Sequence, residues 1–547
     1  MNIHKTTIGI IITLICLLIS NGESLPSYTP YHIHLALGDD PQDIVVSWLT
    51  KAKVPMPTVY YYQGSCDDVQ ENLKNIQKHP ISPMGSKLLA TEEITSVDAN
   101  SDILLTNNNH NNQQQYSTNQ IKSFKMATGT TTTYFGLDAY IHSVQLTLLS
   151  SGKPYCYRVG GEKSMLTSSG SKYPSSWSNT WYSFKTNPLP TLAPTIVAAF
   201  ADSGTWGNIP EVFEHIASDP DITAVIHAGD LSYGVTEEIW DRFGNLIEPI
   251  SSQFPYMTIP GNWDVKEGAL EPFKNRYKMP LYIKSPTNKL VFDTNNADKD
   301  KSDNNVEIKV ETANNLFYSY EYGLIYFVMI SSYDDYHQGS VQYNWLKQQL
   351  EHAASIRHRV PWLIVCAHSP MYSSSSGHDG SDLGFREAVE PLIKKYKVNL
   401  VISGHDHGYE RTYPVYQGKI LDEKKQRYDS SEGTIHILAG TGGATSDPWL
   451  DQPDWSLHRE TSWGFTKLAA YQYSLEVTYL RTNGSVGDSF VIVHEHAKTS
   501  SHTSIFFLLL FLIILIFPIC TYRGTANKLF LSVLQHDSYA SSSKSMA

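Results

Sequence analysis

Five short apolar runs in this chain each stop at a polar cluster able to bind metal, and that repeated break points to a layered α/β fold. Residues 195–200 lead into Asp202, and 224–227 into Gly229-Asp230-Leu231-Ser232-Tyr233. Residues 256–259 lead into Gly261-Asn262-Trp263-Asp264, 363–365 into His368, and 400–402 into Gly404-His405-Asp406-His407. Short apolar runs bounded by turn signals read as buried strands. Helical patterns at 210–217 and 385–396 fall between some of them. In open α/β sheets, ligands collect outside the carboxyl ends of the strands. The seven donors Asp202, Asp230, Tyr233, Asn262, His368, His405 and His407 are therefore expected to meet at one edge. Gly229, Gly261 and Gly404 are read as letting the backbone turn sharply after each strand.

The chain has 547 residues, a length suited to two or more domains. Its net charge of -12, with no basic stripe, excludes a nucleic-acid scaffold as its main partner. Residues 28–188 look all-β, with runs at 32–37, 44–49, 59–62, 143–148, 155–159 and 181–184 separated by turn signals. That spacing suggests a sandwich. An Asn/Gln-rich tract at 107–119 and a charged, Asn-rich stretch at 285–314 read as loop insertions without a core. After residue 433 the pattern returns to strands, at 434–438, 473–480 and 490–493.

Both ends carry apolar segments. Lys5, the run 8–19 and the polar exit at 21–24 read as a secretory signal, with a retained signal anchor as the alternative. The run 505–520, followed by Arg523 and Lys528, reads as a single-pass helix with the bulk of the chain outside. A cleaved lipid-anchor signal or a buried tail is the alternative, although polar residues beyond the run argue against the first. Cys66 and Cys156 are able to pair in the oxidising secretory route, but spacing alone leaves this open. Cys366 lies in an apolar run and reads as a buried thiol. Asn483-Gly484-Ser485 is a glycan acceptor sequon and also a hairpin turn.

Mixed Asp, Asn, Tyr and His donors suit iron, zinc or manganese, and one carboxylate is able to bridge two cations about 3.5–4 Å apart. Asp230 is the candidate bridge. The set resembles the purple acid phosphatases, within the calcineurin-like metallophosphoesterases. The resemblance covers residues 28–494 apart from the insertions and includes His368-Ser369-Pro370-Met371-Tyr372, Gly408-Tyr409-Glu410-Arg411, Asn315-Leu316-Phe317-Tyr318-Ser319, Gln342-Tyr343-Asn344-Trp345-Leu346 and Gly440-Thr441-Gly442-Gly443. Its most specific mark is Tyr233, which in that family binds ferric iron as phenolate and gives the colour.

The resemblance implies a fibronectin-III-like β-sandwich followed by a metallophosphoesterase β-sandwich flanked by helices, an α/β plus β chain. The expected boundaries are signal 1–24, sandwich domain 25–190, catalytic domain 191–432, its C-terminal part 433–498, membrane helix 503–522 and cytoplasmic tail 523–547. It implies an Fe(III) ion on Asp202, Tyr233, His407 and the bridging Asp230. A divalent zinc, manganese or iron ion would take Asp230, Asn262, His368 and His405. The implied activity is hydrolysis of phosphate monoesters at acid pH by a metal-bound hydroxide, in the secretory pathway. A homodimer is left open.

One position departs from the family pattern. Relatives carry a substrate-facing histidine where this chain has Trp263, and an indole cannot supply a proton at mildly acid pH. His378 is the candidate replacement and Asp264 a second one. A phosphodiesterase of the same superfamily, or a weakened cell-surface binding protein, remains as an alternative.

Overall fold

The computed structural model describes residues 28–69, 124–161, 176–190, 194–207, 209–280, 315–378 and 380–494. The signal 1–24, the insertions at 107–119 and 285–314, the apolar run 503–522 and the tail 523–547 lie outside the described residues. Contacts divide the chain into Met1–Ile492 and Val493–Ala547, and the architecture below is that of the first. Among the described residues no helix is long and apolar enough to cross a membrane.

Two four-stranded antiparallel sheets form the amino-terminal sandwich. One runs in the order Tyr31–Leu37, Ile44–Thr50, Tyr140–Leu146, Thr130–Thr132. The other runs Lys125–Thr128, Pro57–Gln63, Pro154–Gly161, Tyr182–Lys185. Alternate residues point inward, as a period of two requires: Ile33, Leu35 and Leu37 from one sheet, and Val59, Tyr61, Tyr157 and Val159 from the other, share one buried cluster. Cys66 and Cys156 are disulfide-bonded, which settles the pairing that spacing left open.

Two seven-stranded sheets follow. The first runs Tyr256–Thr258, Ala224–His227, Thr195–Phe200, Gly464–Ala470, Ser474–Arg481, Val486–Val493, Arg427–Asp429. Its first three strands are parallel, and Gly464–Ala470 adds antiparallel. The second runs Tyr318–Tyr322, Ile325–Met329, Trp362–Cys366, Leu400–Ser403, Ile435–Ala439, Tyr409–Thr412, Ser456–Glu460. The three pairings among its four strands from Ile325–Met329 to Ile435–Ala439 are parallel.

Parallel strands are covered on both faces, so they are apolar at nearly every position. The second sheet shows how. Phe327, Ile364, Ile402 and Ile437 join the cluster that holds Phe200, Val225 and Leu468 of the first sheet. Their neighbours Val328, Val365 and Val401 turn the other way, onto Trp345, Leu350, Phe385 and Ile393 of the helices Val341–Ser355 and Leu383–Lys395. The helix Leu383–Lys395 starts where the Asp382 side chain accepts from the Phe385 N–H, a cap that satisfies one open donor. The sandwich docks on this body through polar bonds as well as apolar ones: Tyr157 Oη donates to the Ser252 carbonyl at 2.7 Å, and His34 Nε2 lies 2.9 Å from the Tyr256 carbonyl.

Candidate metal centre

The parallel strands of both sheets present their carboxyl ends to one place. From the first sheet come Asp202, Asp230, Tyr233 and Asn262, each just past a strand. From the second come His368, His405 and His407. The seven donors converge. Tyr233 Oη donates to Asp202 Oδ1 at 3.0 Å and lies 2.8 Å from His407 Nε2. Asn262 Oδ1 lies 3.2 Å from His368 Nε2 and 3.0 Å from His405 Nδ1. His368 Nε2 is 3.5 Å from Asp230 Oδ1 and 3.9 Å from Asp202 Oδ1. Ligand atoms of Asp202, Asp230 and His368 all lie within 4.8 Å of one another.

The backbone enters this edge under strain. Asp202, Asp230, Tyr233 and His405 have φ of 59°, 55°, 56° and 78°, in the left-handed region that side chains with a Cβ rarely adopt. Each such residue costs on the order of 1–3 kcal/mol and persists only when its surroundings over-determine it. They do so here. Asp202 N–H donates to the Gly229 carbonyl at 3.1 Å, Ser203 N–H to the Asp230 carbonyl at 3.2 Å, and His405 N–H to Asp202 Oδ2 at 2.9 Å. Gly229 turns sharply as expected, with φ of 91°. Gly261 and Gly404 are not in the left-handed region, although Gly261 also opens a turn, its carbonyl accepting the Asp264 N–H at 3.1 Å. They are needed for close approach, because a Cβ at either would run into the carboxylates of Asp230 and Asp202.

Two histidines are oriented by carbonyls. His368 Nδ1 is 2.8 Å from the Ala228 oxygen and His407 Nδ1 is 2.8 Å from the Thr445 oxygen. A carbonyl only accepts, so Nδ1 carries the hydrogen and the Nε2 lone pair of each ring is aimed inward. Burial drives the imidazoles of His368 and His405 down to about 3, so both are neutral. Burial, and then the charge of Asp230, pushes the Asp202 carboxyl well above the usual range. Burial raises that of Asp230 to about 6, against the opposing Trp263 N–H that donates to its Oδ1 at 2.9 Å. Burial, followed by the Asp202 and Asp230 charges, holds the Tyr233 phenol protonated well above its usual value.

These directions share one cause. Asp202 and Asp230 are 0% and 2% exposed, and their ion-pair partners among the described residues are His368 and His407. Two buried carboxylates and a partly exposed phenol meet here, no lysine or arginine among the described residues forms an ion pair with the carboxylates, and the Lys266 charge lowers the Asp230 carboxyl too little to undo its burial. Such a group is costly unless a cation joins it. The donor set fits a trivalent and a divalent ion, since a strong local charge is what converts a phenol to phenolate.

The two catalytic candidates fare differently. His378 sits at the rim, 37% exposed, its ring 4.4 Å from that of His405 and its Nδ1 3.3 Å from the buried Asp406 carboxylate. Asp264 does not face the opening. It is 1% exposed and accepts from the backbone N–H of Gly261 at 2.9 Å and of Leu231 at 3.2 Å. It ties two donor-bearing loops together. Asn483 lies in an exposed turn where its side chain accepts from the Ser485 N–H at 2.9 Å.

Two groups at the site escaped the sequence reading. Tyr333 Oη lies 3.5 Å from Asn262 Oδ1 and accepts from Ser369 Oγ at 3.3 Å. It follows the strand Ile325–Met329, and that strand-end position was the signal for it. Asp447 accepts the His407 N–H at 2.8 Å from a loop with no such signal.

Comparison with known proteins agrees with this geometry. Residues 196–409 match the calcineurin-like phosphoesterase family and 433–489 the iron/zinc purple acid phosphatase-like C-terminal family. An Arabidopsis thaliana protein named "probable inactive purple acid phosphatase 1" is 32% identical over 65% of this chain, and the chain spans 58% of that relative's length. "Probable purple acid phosphatase 20" of the same plant is 30% identical over 64% of this chain and 74% of its own. The solved structure of the yellow lupin purple acid phosphatase PPD1 superposes with a TM-score of 0.64 at 23% identity, covering 86% of this chain and 75% of the lupin chain, a likeness of fold. With its donor cluster and both family matches, the chain belongs to the purple acid phosphatase family.

Proposed function

We propose that this chain hydrolyses phosphate monoesters at an Fe(III)–divalent metal centre. Asp202, Tyr233, His407 and the bridging Asp230 would hold the iron. Asp230, Asn262, His368 and His405 would hold zinc, manganese or a second iron. The observation that carries the reading is the buried pair Asp202 and Asp230, faced by neutral imidazoles and a phenol and, among the described residues, ion-paired with no lysine or arginine. When bound, a metal pair of this kind makes a nucleophile from water near neutral pH and neutralises the phosphate oxygens.

The chain's own groups do the rest. The inward lone pairs of His368 and His407 and the strained turns fix the donors before substrate arrives. His378, with its Nδ1 3.3 Å from Asp406 Oδ1, would give a proton to the departing alkoxide. The residues 25–190 would serve as the sandwich domain, the signal 1–24 would send the chain into the secretory route, and the run 503–522 would tether it with the catalytic part outside. The Cys66–Cys156 bond supports an oxidising compartment.

Metal analysis and a visible spectrum of the purified protein test the centre. Iron with an equal amount of a second metal, a violet or pink colour and cleavage of a phosphomonoester at mildly acid pH are expected. A colourless protein after iron loading removes the tyrosinate. Trp263 in place of a histidine favours one second reading, a phosphodiesterase, and a strong preference for a diester over a monoester would establish it. A relative's name carries the word "inactive", but the presence here of all seven donors supports activity.

A further inference from the structure

Asp202, Asp230 and His368 are buried, so the partly exposed donors Tyr233, Asn262, His405 and His407 mark where a substrate reaches the centre. On the His405 side this mouth is flanked by His378. On the Tyr233 side it is flanked by two tryptophans. The Trp206 ring lies 5.4 Å from that of Tyr233 at 60°, and the Trp263 ring 5.6 Å from it at 49°. Trp206 is 48% exposed, although burying so large a ring would favour folding. It is nonetheless held in place. A Cβ at Gly204 would approach both the Trp206 ring and the Tyr233 ring to 3.3 Å, so the three are in contact. Lys266 covers one face of Trp263, its ammonium 2.9 Å from the ring centroid, so the open stacking face is that of Trp206.

A phosphate bound at the metal centre these seven donors would hold must extend its alcohol group out through this mouth. We propose that Trp206, with Trp263 as side wall, forms a leaving-group subsite that stacks a planar aromatic ring. The chain then prefers monoesters of alcohols bearing such a ring, a nucleoside or an arylmethyl alcohol, over ring-free alcohols. This deepens the phosphomonoester reading and rests on it. A flat, rigid, preplaced indole is what base and aryl stacking require, and it tolerates different rings because each has a π face.

The test uses ester pairs with matched primary-alcohol chemistry: adenosine 5′-phosphate against ribose 5-phosphate, and benzyl phosphate against cyclohexylmethyl phosphate. The purified, metal-loaded protein is expected to favour the aromatic member by about tenfold in kcat/KM, mostly through KM, the lower part of the range for a single stack. Trp206→Ala should bring the ratio toward one and Trp206→Phe should keep most of it. Preference in the first pair alone assigns a nucleoside, and in both pairs any planar ring. Quenching of tryptophan fluorescence by adenosine 5′-phosphate, weaker with ribose 5-phosphate and lost in Trp206→Ala, reads binding without turnover. Selective quenching without hydrolysis keeps the subsite and removes the phosphatase reading. Hydrolysis at equal rates within each pair, or a preference that survives both Trp206→Ala and Trp263→Ala, overturns the subsite and leaves that reading standing.

Discussion

Replacing Asp230 with asparagine should stabilise the metal-free protein at neutral pH and destabilise the loaded one. In the metal-free fold, burial raises the Asp230 carboxyl from an ordinary 3.8 to about 6. The sign follows from proton counts. Between those values the native state binds a proton that the unfolded chain has released, so stability falls as pH rises. It is fully present below about pH 4 and is lost by about pH 6 to 7. Each unit is 1.36 kcal/mol, so the loss is about 3 kcal/mol. Asp230→Asn removes that titration. It keeps an oxygen to accept the Trp263 N–H, and it relieves the charge that raises Asp202.

Denaturant unfolding of the two chelated proteins across this range provides the assay. The variant should gain at least about 3 kcal/mol on the wild type between pH 4 and pH 7, since groups distant from the site cancel in the difference and the relieved Asp202 adds to it. Returning iron and zinc should reverse the order. A site filled at a thousandfold excess over its dissociation constant gains about 4 kcal/mol, and the variant has lost the shared carboxylate. Parallel stability curves for the chelated proteins would refute the claim that Asp230 is buried as an unbalanced charge.

Three further outcomes follow from individual contacts. His378→Ala should lower kcat on the order of 10²-fold for esters with a poor leaving group and far less for a nitrophenyl ester, which needs no proton; equal losses would mean that His378 only shapes the rim. Arg411 pairs with Asp488 through Nε at 2.5 Å and Nη2 at 2.9 Å, both side chains almost buried. Arg411→Ala should cost about 3–5 kcal/mol in unfolding measurements, and much less when Asp488→Ala is added, because the unpaired charge then goes too. Replacing Cys66 and Cys156 with serine opens a loop of 90 residues and should cost about 2–4 kcal/mol.

How far the sequence alone carries can be judged from particular elements. The strands that hold the donors were legible because parallel strands between two covered faces must be apolar at each step, and a polar cluster at their ends has no folding reason to be there. Thr195–Phe200 and Ala224–His227 have the bounds that this pattern predicts. The helix Val341–Ser355 hid for the opposite reason. Its inner face includes Gln342 and Gln349, whose amides bond to Ser331, Ser319 and Tyr326. Buried amides satisfied in this way interrupt the apolar period that would disclose a helix. The helix Glu237–Ser251 contains Gly244 and Pro249, residue types that interrupt a helical pattern in sequence. Gly244 is there because a Cβ would press on the His32 ring, a contact between residues far apart in sequence. The same limit governs the site. A donor that ends an apolar strand announces itself, as Asp202 does. A group such as Asp264 or Trp206 is assigned only when the fold shows which side of a loop it occupies. Trp263 and Asp264 follow Asn262 in the same motif, yet Asp264 is turned into backbone N–H groups while Trp263 lines the mouth. Neighbours in a turn point to different sides, so motif membership predicts the position of a residue near the metals but not its role there.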